Sequence, residues 1–335
     1  MKKIFSFLVT FCLLLSFKSA LLAQENQLNI YTYESFTSEW GPGPSIENEF
    51  ESFCNCNLNF VSIDSSAGIL SRIKLEESNA KGDIALGLDL NLLADAIETG
   101  LFAKHKIYPE NLNLPFKWNN EYFLPFDYGY FAFIYNQNEV SDAPGSFKEL
   151  ISNQNNLKII IQDPRTSTPG LGLMLWIKSI YGEEAGKVWE QLKKKIVTVT
   201  KGWSESYGLF LNGEADMVLS YTTSPAYHMI AEGNNDYYAA NFSEGHYIQV
   251  EVAGILKNSE NKSLARKFLN FMISEKFQKT IPTGNWMYPI IELNEKLPEE
   301  FNKLIMPNKT LLQDPESISM NKKEWINEWL SSMTR

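Results

Sequence analysis

Cysteine and histidine are both scarce in this 335-residue chain: Cys12, Cys54 and Cys56, and His105, His228 and His246, which are well separated along it. A metal site or a hydrolytic triad therefore finds no local support. HExxH, GxSxG, GxxxxGK[ST] and GxGxxG patterns are absent, and Gly202-Trp203-Ser204-Glu205-Ser206 only grazes a nucleophile elbow, lacking its last Gly. An enzyme is not expected. Basic charge is the minority sign, 30 Lys and Arg against 40 Asp and Glu for a net −10. Lys2, Lys3 and Lys18 all fall in the first 23 residues, where there is no acid, so the rest is more acidic still. Such a surface does not track a phosphate backbone, which argues against nucleic acid as a partner.

What is present is ordinary globular composition, 44% hydrophobic and 21% charged. This excludes disorder, collagen-like sequence and coiled coil, and the length suits two domains or one large one. Fifteen Tyr, eight Trp and 21 Phe suggest a protein able to grip something with ring faces.

Met1 to Ala23 reads as a secretory signal peptide. Lys2 and Lys3 form its positive region, Ile4 to Phe17 its apolar region, and Ala20-Leu21-Leu22-Ala23 offers a small residue before a cut. The apolar stretch is short for a membrane span. Cys12 lacks the preceding small residue of a lipoprotein site, so a soluble exported protein is expected. Cleavage leaves Cys54-Asn55-Cys56. In an oxidising compartment these two can pair, near the outer limit of disulfide geometry, as a structural or merely tolerated couple.

Strands are expected at Asn26–Tyr33, Asn57–Ile63, Asp83–Leu88, Lys158–Gln162, Lys195–Thr200 and Asp216–Tyr221. Helices are expected at Ser45–Phe53, from Ala67 to about Ser78, from Thr168 to Tyr181, and from Ser204 and Ser224 onward. This alternation argues for α/β sheets. Two long extended runs, Phe123–Tyr135 and Gly245–Leu256, enclose a complete α/β unit. They read as crossovers joining two lobes, the plan of a binding-cleft protein.

Three strand-to-helix turns share one chemistry. Thr168-Pro169 and Ser224-Pro225 each place a capping hydroxyl before Pro at the first helical position, and Ser65-Ser66 opens the helix after the second strand. Helix starts offer unpaired N–H groups and partial positive charge, which suit an anion. Nearby loops carry Tyr33, Trp40, Trp203, Tyr221, Tyr227 and Trp286, rings suited to a flat cation. Asp127 and Glu251, on the crossovers, suit either a cationic ligand or hydrogen bonding at a hinge.

Longer segments carry a family resemblance. They are Tyr31-Thr32-Tyr33, Trp40 to Pro44, Cys54-Asn55-Cys56, Pro125 to Tyr130, Gln162 to Gly170 (QDPRTSTPG), Val197 to Ser206 (VTVTKGWSES), Leu219 to Tyr227 (LSYTTSPAY), Asn241 to His246 (NFSEGH) and Ile281 to Pro289 (IPTGNWMYP). In order, from the first strand almost to the C-terminus, they resemble the bacterial periplasmic thiamine-binding proteins. The resemblance implies a two-lobed, type II-like periplasmic-binding-protein fold hinged on two crossover strands. Residues 24–128 with 254–335 would form one lobe and 129–253 the other. It also implies a periplasmic monomer that delivers thiamine and its mono- and diphosphate esters, with no resident cofactor, to an inner-membrane ABC permease and its cytoplasmic ATPase. Ligand contacts carried over from the family fall on Ser167, Thr168, Trp203, Tyr221, Thr222, Thr223 and Ser224, with Tyr33, Trp40, Tyr227 and Trp286 lining the cleft. Ser65-Ser66 stands where similar proteins can carry Asp-Gly; two hydroxyls still suit a phosphate oxygen, while the lost carboxylate bears on ester preference.

Two alternatives remain. One is a thiamine-cleaving enzyme on a related fold, which needs a cysteine nucleophile activated by an acid. The other is a ferric-ion or polyamine binder, to which Tyr237-Tyr238 would point as an iron-binding pair.

Overall fold

The computed structural model describes residues 26–110, 112–152 and 156–334. The expected signal peptide and Cys12 lie outside them. Strand β1 (Gln27–Tyr33) and strand β2 (Asn57–Ile63) pair in parallel from Gln27↔Asn57 to Tyr33↔Ile63. Parallel neighbours need a crossover, here helix α1 (Gly43–Cys54), which buries Ile46, Phe50 and Cys54 at intervals of four. It stops where Asn55 turns left-handed at φ 55°, a helix end that Asn tolerates. Directly after it, Cys54 and Cys56 are joined as a disulfide. Helix α2 (Ser66–Glu76) then leads to strand β3 (Ile84–Asp89), buried along its whole length and parallel to β1.

The longest strand, β4 (Phe123–Asn136), is buried from Phe123 to Phe133 and on through Ile134. A second α/β unit follows: strand β5 (Ile159–Gln162), helix α3 (Thr168–Tyr181), helix α4 (Ala185–Leu192), strand β6 (Ile196–Thr200), helix α5 (Trp203–Leu211), strand β7 (Met217–Tyr221) and helix α6 (Ser224–Ala231). Strand β8 (His246–Leu256) returns, wholly buried. Across the molecule the strand order is β2-β1-β3-β8-β4-β7-β5-β6.

Strand β4 belongs to both sheets. Up to Tyr130 it runs antiparallel to β8, and from Phe131 to Tyr135 it runs antiparallel to β7. On β8, pairing with β4 extends from Ile248 to Gly254, and pairing with β3 covers Glu251 to Ile255. The partner change thus falls at Tyr130/Phe131, beyond the 128/129 limit set from sequence. Most of β8 pairs with the first sheet, although the 253/254 limit had assigned it to the second lobe. Hydrogen-bond partnering decides such limits, and a continuous apolar run does not reveal it.

Helix α7 (Lys262–Met272) packs Phe268 and Phe271 on Phe50 of α1, with ring centroids 5.1 and 5.3 Å apart. Helix α8 (Pro315–Thr334) touches both halves. At one end Ser319 donates to Asp95 at 2.7 Å and Lys322 pairs with the same carboxylate. At the other, Lys178 of α3 pairs with Glu328 at 3.0 Å and Trp189 of α4 meets Trp329 edge-on. Sequence reading had placed this tail with the first lobe alone. Its buried residues Ile318 and Trp329 stand about 16 Å apart along a helix axis, so one element reaches two packing sites.

Helix α3 is buried continuously from Thr168 to Ile177. Gly172 lies against the Phe131 ring so closely that a Cβ would overlap it. This contact sits at the residue where β4 changes sheets. Gly172→Ala is expected to lower stability by about 1–3 kcal/mol through overpacking, read as a drop in the urea midpoint; a midpoint equal to wild type would show that the ring has room to move.

Candidate ligand-binding cleft

A cavity of about 350 Å³ opens between the two α/β units. From the first unit come the end of β1, the start of α2 and the Thr283–Tyr288 turn, and from the second the starts of α3, α5 and α6, with strand β8 beneath. Of the residues expected at a site, Ser65, Ser66, Ser167, Thr168, Trp203, Tyr221, Ser224, Tyr33, Trp40, Tyr227 and Trp286 line it. Thr222 and Thr223 do not. Both side chains are fully buried: the Thr222 N–H donates to the Tyr130 carbonyl, and the Thr223 hydroxyl faces the Met287 sulfur at 3.9 Å. Consecutive turn residues point in different directions, so contiguity in sequence overstated the lining.

The caps also differ in detail. Ser65 is the N-cap of α2 and accepts from the Gly68 N–H at 3.1 Å, as expected. For α3 and α6 the caps are Ser167 and Thr223, one residue earlier than expected, and neither side chain closes a capping bond. Thr168 and Ser224 already hold helical backbone, with Pro at the second helical position, where its missing N–H is equally harmless. Ser224 instead bonds Ser220 at 2.8 Å, and Ser220 accepts from the Trp203 indole N–H at 2.7 Å. That chain of contacts ties the start of α5 to the start of α6.

Ring placement follows from such anchors. Trp203 stacks on Tyr207, centroids 5.0 Å apart, which leaves its other face and edges for the cavity. Tyr227 meets Trp286 edge-on at 5.2 Å. Trp286 has φ 55°, an uncommon backbone state for a bulky residue, and its indole nitrogen is buried without a partner. Strain of this kind persists where surroundings over-determine a residue, commonly at ligand clamps. Trp40 is 52% exposed at the rim.

Glu251 lines the cavity floor, and the Tyr33 hydroxyl donates to it at 2.7 Å. Asn285 donates to Glu251 at 3.1 Å and also to Asp127 at 2.5 Å. Glu251 stands directly opposite Asp127 on β4 and opposite Asp89 on β3. Burial pushes the Asp127 and Asp89 carboxyls each up to about 7. Burial, then the Asp127 charge, holds Glu251 well above its ordinary range. Burial, then the nearby Glu251 carboxylate, raises the Tyr33 and Tyr221 hydroxyls well above theirs.

The two sides also touch at the cavity rim. The Ser65 hydroxyl donates to the Thr166 carbonyl at 2.8 Å, and Lys201 pairs with Asp64 on the surface. Sequence reasoning missed Tyr207, Asn285 and Met287 as lining residues. Asn285 sat visibly beside Trp286, but nothing in its neighbourhood announced a partner more than 30 residues away.

The remaining candidates take structural roles. His105 bonds the Asn120 carbonyl, His228 lies between Tyr207 and Glu232, and His246 bonds the Phe131 carbonyl. Tyr237 stacks on His228 at 3.8 Å and Tyr238 packs on Tyr135; neither lines the cavity. Among the described residues no group of three or more His, Cys, Asp or Glu is arranged to hold a metal ion.

The family model for bacterial extracellular solute-binding protein matches residues 42–279. The thiamine-binding periplasmic protein of Escherichia coli K12 is 53% identical over 308 residues, covering 92% of this chain and 94% of that protein. Its namesake from Brucella melitensis is 47% identical over 329 residues, 98% of each. A solved periplasmic thiamin binding protein superimposes with TM-score 0.91 at 52% identity, covering 93% of this chain and 98% of its own.

The buried acids make stability depend on pH. A carboxyl whose pKa rises on folding favours the folded state below its unfolded value and loses that contribution as pH climbs through the folded one. For Asp127 that window runs from 3.8 to about 7. Ligand-free protein should therefore melt at lower temperature as pH rises across it, and Asp127→Asn should make that decline shallower. A wild-type slope unchanged in the variant would contradict this.

Proposed function

The chain belongs to the bacterial extracellular solute-binding proteins, and we infer from that membership and from the cleft that it captures thiamine as the solute-binding component of an importer. The observation that carries this reading is convergence. Residues far apart in sequence, which the family resemblance assigns to ligand contact, meet around one cavity. The rings of Trp203, Tyr227 and Trp286 suit the faces of a pyrimidine and a thiazolium cation. Helix starts bearing Ser65, Ser66, Ser167, Thr168 and Ser224 suit a hydroxyl or phosphate.

On this reading the ligands include thiamine monophosphate and diphosphate as well as thiamine. The Ser65-Ser66 turn would offer the Ser66 hydroxyl and N–H groups to a phosphate oxygen, the Ser65 hydroxyl being held by the Thr166 carbonyl and the Asp64 carboxylate by Lys201. Delivery would be to an ABC permease with its ATPase, from a periplasmic monomer released by removal of Met1 to Ala23. Transport without chemistry is supported by the cysteines: Cys54 and Cys56 are bonded to each other, and neither lines the cavity. Iron binding by Tyr237-Tyr238 is disfavoured by the packing of both rings elsewhere.

The test is titration of the mature protein by Trp fluorescence with thiamine and its two esters, with spermidine and ferric citrate as controls. Saturable quenching by the thiamine series alone is expected; a response only to a control would overturn the reading. In the same assay Trp203→Ala and Trp286→Ala should each weaken thiamine binding by about 1–3 kcal/mol, the range for ring stacking against a base. Unchanged affinity in both would remove these rings from the site.

A further inference from the structure

The floor of the cleft holds a feature that neither a hydroxyl nor a phosphate requires. Asp89, Glu251 and Asp127 stand side by side on β3, β8 and β4, directly opposite one another in the strand register. Like charges placed directly across strands are destabilising, and all three residues are buried. The pairing of β8 with β4 shifts register between Glu251 and Val252, at the centre of this row. Bulges of this kind re-aim a side chain beside functional sites. Among the three, only Glu251 lines the cavity. Tyr33 and Asn285 both donate to its Oε2, while Asp127 Oδ1 is buried without a partner.

We propose that Glu251, backed by Asp127 and oriented by Tyr33 and Asn285, is the specificity-determining acceptor for the exocyclic amino group on the aminopyrimidine end of the ligand. The proposal rests on the thiamine reading and deepens it. Two facing buried carboxyls do not both ionise readily, so the Glu251–Asp127 pair retains one proton between them and presents a single negative charge. That charge attracts an N–H donor and the thiazolium cation, and it repels a phosphate. The ester end is thereby directed away from the floor, to where the helix starts stand. Thiamine and its two esters differ only at that end, so a floor that reads the shared amino group accommodates all three.

The groups that face the pair from each packed element are few. Asp89 lies on β3, Tyr33 at the end of β1 and Tyr221 at the end of β7, and Lys322 of α8 acts on Asp89. No cation among these neutralises Glu251 directly, so acidification adds the second proton and removes the attracting charge. Thiamine affinity should fall as pH drops below neutrality, through the value of about 7 to which burial pushes Asp127.

The test compares thiamine with oxythiamine, in which an oxo group replaces the amino group, by calorimetric titration against pH. Wild type should prefer thiamine by about 10- to 100-fold at neutral pH, the range for a hydrogen bond to a charged group. Glu251→Gln should reduce that ratio to within about threefold, because an amide both donates and accepts. Asp127→Asn should keep the preference but move the midpoint of the pH profile higher, because the proton the two carboxyls share no longer stabilises the single charge; a merely structural role would not move this ratio or midpoint. A ratio that survives in Glu251→Gln, or a wild type that binds both compounds equally, overturns the proposal. If Glu251→Gln does not fold, the wild-type profile decides, and affinity that does not decline on acidification overturns it. Failure of wild type to bind thiamine at any pH overturns the transport reading itself, and this inference with it.

Discussion

The antiparallel pairing of β4 with β8 is the constraint on which the rest of the structure depends. These strands lie at the middle of the eight-strand order, and β4 then continues as the partner of β7 in the second sheet. Because one strand serves both sheets, the two α/β units share a covalent and hydrogen-bonded axis, and their helix starts face each other across it. The same pairing brings Asp127 opposite Glu251. Two charges that would be well solvated on separate strands become a buried pair through register alone.

The cleft divides chemically along that axis. Helix starts from both units line part of it, where N–H groups and small hydroxyls accumulate with no cationic side chain among the lining residues. The floor is acidic and donor-tied through Tyr33 and Asn285. Rings from three separate turns stand between them, each held by a neighbouring side chain: Trp203 by Ser220 and Tyr207, Tyr227 and Trp286 by each other. A ligand positive at one end and a hydrogen-bond acceptor at the other fits this polarity in only one orientation.

Contacts at the cavity rim and along α8 hold the two halves together. Ser65 to Thr166 and Asp64 to Lys201 bridge the rim, and α8 lies across both units on its own pair of packing sites. The Asp64–Lys201 pair is exposed and screened, so its contribution is small. The Trp189–Trp329 contact and the buried Ile318 involve more apolar area, which makes α8 the firmer of the two connections.

Local chemistry made much of this legible in advance. Alternation and β-branching mark β1, β2 and β5; the Ser65 cap, the proline-marked starts of α3 and α6, and the extended runs of β4 and β8 are all visible in order along the chain. Most of the lining rings were legible too, because aromatics in turn segments have few apolar neighbours in sequence to pack against. Sequence by itself determined the α/β alternation, the two crossovers and the residue types available at each helix start, since these follow from backbone propensity and period. Tertiary structure alone decided that Thr222 and Thr223 turn away, that Asn285 joins Tyr33 and two acids, that α8 spans both halves, and that Asp89, Glu251 and Asp127 stand in one row. Each of those depends on register or packing between segments tens to hundreds of residues apart, and no local preference encodes which residue a distant strand will place opposite.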